Sequence, residues 1–463
     1  MKKRPSFSAN PFILIFCAIL LAGLLSFLIT PGQLVDGEYT PLPRNPVNFN
    51  NLFNIVRAIP MGIRDSASIV VLILSIGGVL GVYNKTGAIQ AGIDRIVLRA
   101  GKNSGYWVLA LFIVFFSFLG GFFGWIEVLI PFCPLVVTVI LALGFDAVTA
   151  VAVVIVGCMG GFMAGPTNLY TVAVCNGILQ NLGLLAADGN VFSGLTFRLV
   201  LWSVVTTVSV GYILLYARRV RRNPAKSLVY GMDTSDIAGT AGESVSFTWR
   251  HGLVLLTVFA AMVCTFVGMQ HGIGGRKWTI DDISAVFIAS GILSGLIGRL
   301  KGSEIVDAFL GGVKGAVAGA LIVGFARSVY WITDNANINA TIVYKATQLL
   351  EGLSPLAAAF GIVVLVSLIN GLIPSGSGKA MLLGPIVFPI AGTLGIGAET
   401  SVLAYQFGDG ITNMFWFSFG TLMIFLNYGK VPIQKWWKFF CPLMAIFFLI
   451  ALVSLVVATS LGL

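Results

Sequence analysis

Apolar runs suited to crossing a bilayer lie near 12–29, 66–83, 105–123, 128–143, 147–163, 168–185, 194–217, 251–269, 283–298, 312–332, 355–373, 380–396, 400–426 and 437–461. Their lengths cluster around the ~20 residues that span a hydrocarbon core. The pattern predicts an all-α polytopic membrane protein, with roughly 10–12 true spans because some of the runs are broken or turn back. Basic clusters beside the runs support that reduction. Lys2, Lys3 and Arg4, then Arg95, Arg99 and Lys102, then Arg218, Arg219, Arg221 and Arg222, then Arg299 and Lys301, then Lys430, Lys435 and Lys438 read as cytoplasmic markers. An even number of crossings must then separate Lys102 from Arg218, yet five runs lie between them. At least one of them enters and leaves by the same face or is split.

Polar stretches divide the chain. Residues 1–60 read as an uncleaved first span with a cytoplasmic N-terminus, followed by a Pro-rich external loop over 30–60. Residues 61–217 form a first repeat, with a hairpin near 120–143 and a broken helix over 147–185. A cytoplasmic linker covers 218–250, including Asp233, Asp236 and Glu243, and a scaffold pair of spans covers 251–303. Residues 304–463 form a second repeat, with a hairpin near 374–396 and a broken helix over 400–426. Amphipathic stretches at 85–102 and 335–351 sit at matching places and read as interfacial helices.

The two repeats share a layout more than an identity. Gly120–Glu127 leads to Pro131 and Pro134, then Gly144; Pro374–Lys379 leads to Pro385 and Pro389, then Gly395. The spacing from Pro134 to Gly144 equals that from Pro385 to Gly395. Each half then has a Gly-broken run ending in Thr-Asn, at Thr167-Asn168 and Thr412-Asn413. The basic clusters place the first spans of the two repeats in opposite directions, so the repeats are inverted. Inverted repeats with broken helices in matching positions point to a secondary transporter with its site where the repeats meet.

Composition agrees with lipid as the solvent. Hydrophobic residues make up 57% of 463, charged residues only 10%, and mean hydropathy is +0.96; soluble chains carry roughly 25% charged residues. The net charge of +10 resides in the positive-inside clusters, so a nucleic-acid partner does not follow. Six cysteines inside apolar runs give neither a disulfide framework nor a zinc site, and two histidines leave no catalytic constellation. Gly378-Lys379 imitates a phosphate loop, but Ile373 stands where its first Gly is required and Ala380 replaces the Ser/Thr.

The candidate chemistry sits at the broken elements. Ser375, Gly376, Ser377 and Gly378 can present free N–H groups at a helix N-terminus, where an anion such as a carboxylate is favoured, with Lys379 adding a positive charge. The matching tip carries Glu127. Asp409, inside an apolar run, is expensive there unless it serves a cavity, an ion or a partner. Thr167, Asn168, Thr412, Asn413 and Asp409 offer oxygens to a coupling ion, Na⁺ or H⁺, while Asn168, Asn413, Glu127 and Asp409 are also candidates for the solute. Tight helix packing, helix capping, or pairing of Asp409 with a Lys or Arg account for the same residues without a solute. Arg327 and Asp334 read as markers of a span end, and Trp202, Trp416, Trp436 and Trp437 as belt or packing residues.

At Ile130-Pro131-Phe132, Leu141–Ala147, Ile373–Ala380 and Gln406–Asn413 the sequence resembles the C4-dicarboxylate anaerobic carrier family, most closely its YfcC-type branch, within the ion-transporter superfamily. The resemblance implies a bacterial inner-membrane carrier, homodimeric, that moves its solute domain like an elevator. It implies C4-dicarboxylates or basic amino acids such as arginine and ornithine as solutes. The chain departs from the family pattern at Ile126, which precedes Glu127 in place of a second acid, at Lys379, and at Met414–Ser418; these changes make the pocket more apolar and less acidic. The leading expectation is a secondary active transporter of a small carboxylate-bearing solute, a C4-dicarboxylate or an amino acid, cation-coupled or exchanging, with no cofactor. A basic amino acid antiporter is the alternative and an ion channel a more distant one.

Overall fold

A computed structural model describes residues 11–35, 38–99, 104–185, 194–233, 237, 246–276 and 278–463. The Lys2–Arg4 cluster, Lys102, Asp236 and Glu243 lie outside the described residues. Among the described residues, seven helices are long and apolar enough to cross a membrane, and four shorter helices are also apolar. The protein is a multi-pass membrane protein, mostly helical.

The chain opens with α1 (Pro11–Leu28), a two-stranded antiparallel ribbon β1 (Gly32–Val35) and β2 (Glu38–Pro41), and α2 (Phe49–Asp65). The expected polar loop at 30–60 is therefore structured, and the ribbon is a small departure from an all-α chain. The reason is burial. Tyr39 stacks on Tyr344 with centroids 4.3 Å apart, and α2 lays its small residues Ala58 and Gly62 against a later long helix. Then come α3 (Ala67–Lys85), the short α4 (Ala88–Arg99), α5 (Ser104–Phe123), a 3₁₀ turn at Glu127–Leu129, α6 (Cys133–Ala142), α7 (Ala147–Met163), α8 (Val172–Asn181) and α9 (Leu195–Arg222).

Two helices follow, α10 (Trp249–Gln270) and α11 (Ile280–Ile297). The remainder comprises α12 (Gly302–Asn335), α13 (Asn339–Gln348), α14 (Pro355–Ile369), α15 (Gly376–Thr393), α16 (Ala398–Asn413), α17 (Gly420–Tyr428) and α18 (Ile433–Ser460). The order long helix, short helix, helix–tip–helix, helix–break–helix, long helix occurs over 67–222 and again over 302–460. Two left-handed glycines mark equivalent places in it. Gly144 (φ +82°) ends α6 and Gly395 (φ +75°) ends α15, and in both the next residue's N–H reaches back five residues to close the helix, Phe145 to Ile140 and Ile396 to Ala391.

The helices on either side of each tip are longer than the stretches the sequence marks. Gly120–Phe123 is the last turn of α5, so α5 and α6 are the arms of the first tip; α14 and α15 are the arms of the second. Nor do the glycine clusters break their helices. Gly157–Gly161 lies inside α7, and the chain unwinds only afterwards, over 164–171; Gly408 and Gly410 lie inside α16, with the unwound stretch at 414–419. These glycines serve approach instead. A Cβ on Gly120 would collide with the Cys158 carbonyl and one on Gly161 with the Ser117 carbonyl, so the backbones of α5 and α7 touch.

Burial sorts the helices by position. Every residue of α7 and the run Thr400–Asn413 of α16 is buried, whereas α1, α9, α10, α11 and α18 expose Leu24, Val200, Leu256, Phe259, Leu296, Leu449 and Val453. The broken helices form the centre and the long helices face lipid. On one side α12 packs on α1, α2, α3 and α17; on the other, α5, α9, α16 and α18 surround α7 and α14.

Candidate functional site

Unwinding two helices inside a hydrophobic centre leaves carbonyls and N–H groups that lipid cannot satisfy. Side chains from neighbouring elements answer them here. In the first break, the Asn168 amide donates to the Phe162 carbonyl (3.2 Å) and its carbonyl accepts from the Tyr170 and Thr171 N–H groups (2.9 and 3.3 Å). Thr167 ties the break to the first tip through the Phe122 carbonyl (2.8 Å). Gln406, reaching across from α16, donates to the carbonyls of Phe162 (2.9 Å) and Gly165 (3.1 Å) and accepts from the buried Arg198 of α9.

Tryptophans do the same for the second break. Trp436 and Trp437 donate their indole N–H to the carbonyls of Met414 (2.7 Å) and Phe415 (2.8 Å), while Trp416 itself donates to Ser367 in α14 (2.7 Å). The Trp202 N–H reaches Ser117 in α5 (3.1 Å). These four are hydrogen-bonded packing residues, not a membrane-interface belt.

At the second tip Ser375 is the N-cap of α15, its hydroxyl accepting from the Gly378 N–H (3.2 Å), and Tyr405 donates to the Gly376 carbonyl (2.6 Å). Lys379, one turn in, points into the protein. Its ammonium donates to Asp409 (2.6 Å) and to the Asn370 side-chain carbonyl (2.5 Å), and all three side chains are fully buried. The Asn370 amide then donates to the Asp409 carbonyl, the Thr412 hydroxyl and the Asn413 side-chain oxygen, at 3.2, 3.0 and 2.8 Å. The pairing of Asp409 with a lysine, one of the two uses the sequence leaves open, is the one realised.

A cavity of about 380 Å³ opens beside this cluster. Ile126, Glu127 and Val128 of the first tip and Pro374, Ser375, Gly376 and Ser377 of the second line it, with Tyr170, Asn413 and Ser418–Thr421 from the breaks. The far wall is Asp65, Ser66 and Ile69 at the α2–α3 junction, Met269, Ile280, and Val323 and Arg327 of α12. Glu127, Ser375, Gly376, Ser377 and Asn413 thus share one cavity. Gly378, Lys379, Asp409, Thr412, Thr167 and Asn168 lie off its lining, occupied by the contacts above.

Arg327 is the residue that sequence reasoning missed. Read as the end of a span, it sits well inside α12, which runs on to Asn335. Its guanidinium lies 4.3 Å from the Tyr330 ring centroid, and its buried Nε has no hydrogen-bond partner. Asp65 was missed because 30–60 reads as a loop that ends before it. Asn370 closes an apolar run, where a single amide looks like an ordinary cap. The usable signal was depth: Arg327 follows an apolar stretch that starts some ten residues after the first basic marker of its helix, so it belongs inside the span.

Comparison with known proteins places this architecture. Residues 12–460 match the model of the C4-dicarboxylate anaerobic carrier family. The Escherichia coli K12 protein named "Putative basic amino acid antiporter YfcC" is 30% identical over 409 residues, 86% of this chain and 78% of its own length. A Haemophilus influenzae Rd protein is 26% identical over 88% of this chain and 78% of its own. The crystal structure of the Alcanivorax borkumensis YdaH transporter aligns over 98% of both chains at 16% identity with a TM-score of 0.45. With a family match spanning nearly its whole length and a relative 30% identical over most of both chains, this chain belongs to the C4-dicarboxylate anaerobic carrier family.

Proposed function

We propose that the protein is a secondary active transporter of a small amino acid, with cationic amino acids of the arginine and ornithine type fitting best, and that the solute binds in the cavity between the two tips and the two helix breaks. One observation carries this reading. The charged groups on the described lining are a single cation, Arg327, and two acids, Glu127 and Asp65. With both acids ionised the lining holds one positive and two negative charges, net −1, which complements a solute of net +1. The carboxylate of such a solute meets Arg327 and the free N–H groups at the start of α15; its ammonium groups meet the acids. Lys379 takes no part in binding because Asp409 already answers it.

The doubled element order supports inverted repeats with re-entrant hairpins. The placement of α12, α2 and α3 on one wall and of tips and breaks on the other supports an elevator in which the second group moves past the first. In this reading the protein works in a bacterial inner membrane, with its N-terminus in the cytoplasm, as a homodimer. The YfcC relative's name fits the cationic solute; the family's name and the N-terminus of α15 favour a second reading, a C4-dicarboxylate.

Counterflow into proteoliposomes separates them. Vesicles loaded with unlabelled ornithine should accumulate labelled arginine, and vesicles loaded with succinate should not accumulate labelled succinate. Accumulation of succinate alone reverses the assignment. Leakage without counterflow in either case indicates a channel, which binds no occluded solute.

A further inference from the structure

Among the oxygens that the sequence offers to a coupling ion, the Asp409 carboxylate is already paired with a cation that belongs to the chain, and those of Thr412 and Asn413 take the Asn370 amide. Asp409, Asn370, Thr412 and Asn413 converge where α16 is about to unwind; the Lys379 ammonium lies 2.5 Å from Asn370 and 2.6 Å from Asp409, and the Asn370 amide carries the contact on to Thr412 and Asn413. Lys379, Asn370 and Asp409 have no solvent exposure. The cluster is electrically complete, one ammonium against one carboxylate, and its remaining acceptors take the Asn370 amide hydrogens. The first half is built differently: Glu127 lines the cavity and no ion pair to it occurs among the described residues.

We infer that Lys379 is a tethered replacement for a coupling cation: its ammonium fills the cation position of the second half, so solute exchange proceeds without Na⁺ at that position. A free monovalent cation there would share one carboxylate with an ammonium in direct contact, and like charges at that range repel strongly in a dry site. Because the ammonium rides on the first turn of α15, it cannot dissociate. It holds the second tip to α16 whether or not solute is bound, the service a bound ion would otherwise give. The inference rests on the transporter reading only for its exchange measurement; the stability measurement stands apart from it.

The test compares purified protein in NaCl, KCl and choline chloride at equal ionic strength. Wild type should show no saturable Na⁺-specific rise in melting temperature, and proteoliposomes should exchange labelled ornithine equally fast in NaCl and choline chloride. Lys379→Ala vacates the position beside Asp409, so Na⁺ or methylammonium should stabilise that variant saturably, and the double change Lys379→Ala with Asp409→Asn should remove the response. A saturable Na⁺-specific shift in wild type that Asp409→Asn abolishes overturns the inference, as does a folded Lys379→Ala protein indifferent to both cations. If Lys379→Ala does not fold, the wild-type comparison decides alone. Absence of exchange for every amino acid would sink the amino acid reading while leaving the stability result to judge this one.

Discussion

Asn370 shows how much one side chain can hold. Its carbonyl accepts from Lys379 and its amide serves three oxygens of α16, all buried. Asn370→Ala takes one hydrogen-bond partner from each of those groups, although Lys379 keeps Asp409 and Thr412 keeps the Gly408 carbonyl, and a buried polar group left short of a partner costs about 1–3 kcal/mol. The expected outcome is a clear drop in the apparent melting temperature, and Asn370→Asp, which loses the same donor and sets a second buried carboxylate beside Asp409, should not restore it. Neither its position nor its type announced this role, because an Asn after an apolar run also caps a helix. Lys379 and Asp409 were each legible as costly charges in lipid; their partnership was not, since thirty residues, including the rest of α15 and the turn at Gly395, separate them in the chain. The place of Ser375 was legible, as a hydroxyl at the foot of a helix whose first turn is mostly small residues.

Among the elements, the sequence points to breaks within 147–185 and 400–426, and the chain unwinds over 164–171 and 414–419. Glycine clusters signal a break and a close contact equally well, and at Gly161 the contact with α5 is what they provide. What permits the unwinding lies elsewhere in the chain: Gln406 for the first break, Trp436 and Trp437 for the second. Trp436→Phe keeps the stack on Phe440, whose ring centroid is 5.7 Å away, but removes the donor to Met414. That loss should lower stability by about 1–3 kcal/mol and, by loosening the stretch before Ser418, slow exchange at saturating solute. An unchanged melting temperature would mean that the Met414 carbonyl finds another donor. The extra length of α12 escaped notice because its first ten residues carry Glu304, Asp307 and Lys314 nearby and read as polar; the apolar run alone placed its end near Arg327.

At the scale of the whole molecule, α12 with α2 and α3 forms one wall of the cavity, and the tips with the broken helices form the other. If solute crosses by sliding of the second group, a tether between the groups stops it. Gly319 of α12 and Asn427 of α17 suit one, because a Cβ at Gly319 lies 4.0 Å from the Asn427 Cβ, within the range a disulfide spans. With Cys17 and Cys264 changed to Ser, the Gly319→Cys/Asn427→Cys protein should lose counterflow on oxidation and regain it on reduction; full activity when oxidised would argue that these walls do not move apart. That a solute carboxylate rests on Arg327 is read most directly from affinity for ornithine relative to putrescine, the same diamine without the carboxylate. Wild type should prefer ornithine, and Arg327→Gln should lose most of that preference, roughly 10- to 100-fold for a charge-assisted hydrogen bond of about 1.5–3 kcal/mol; a preference equal in both proteins would place the carboxylate, and the solute, somewhere else.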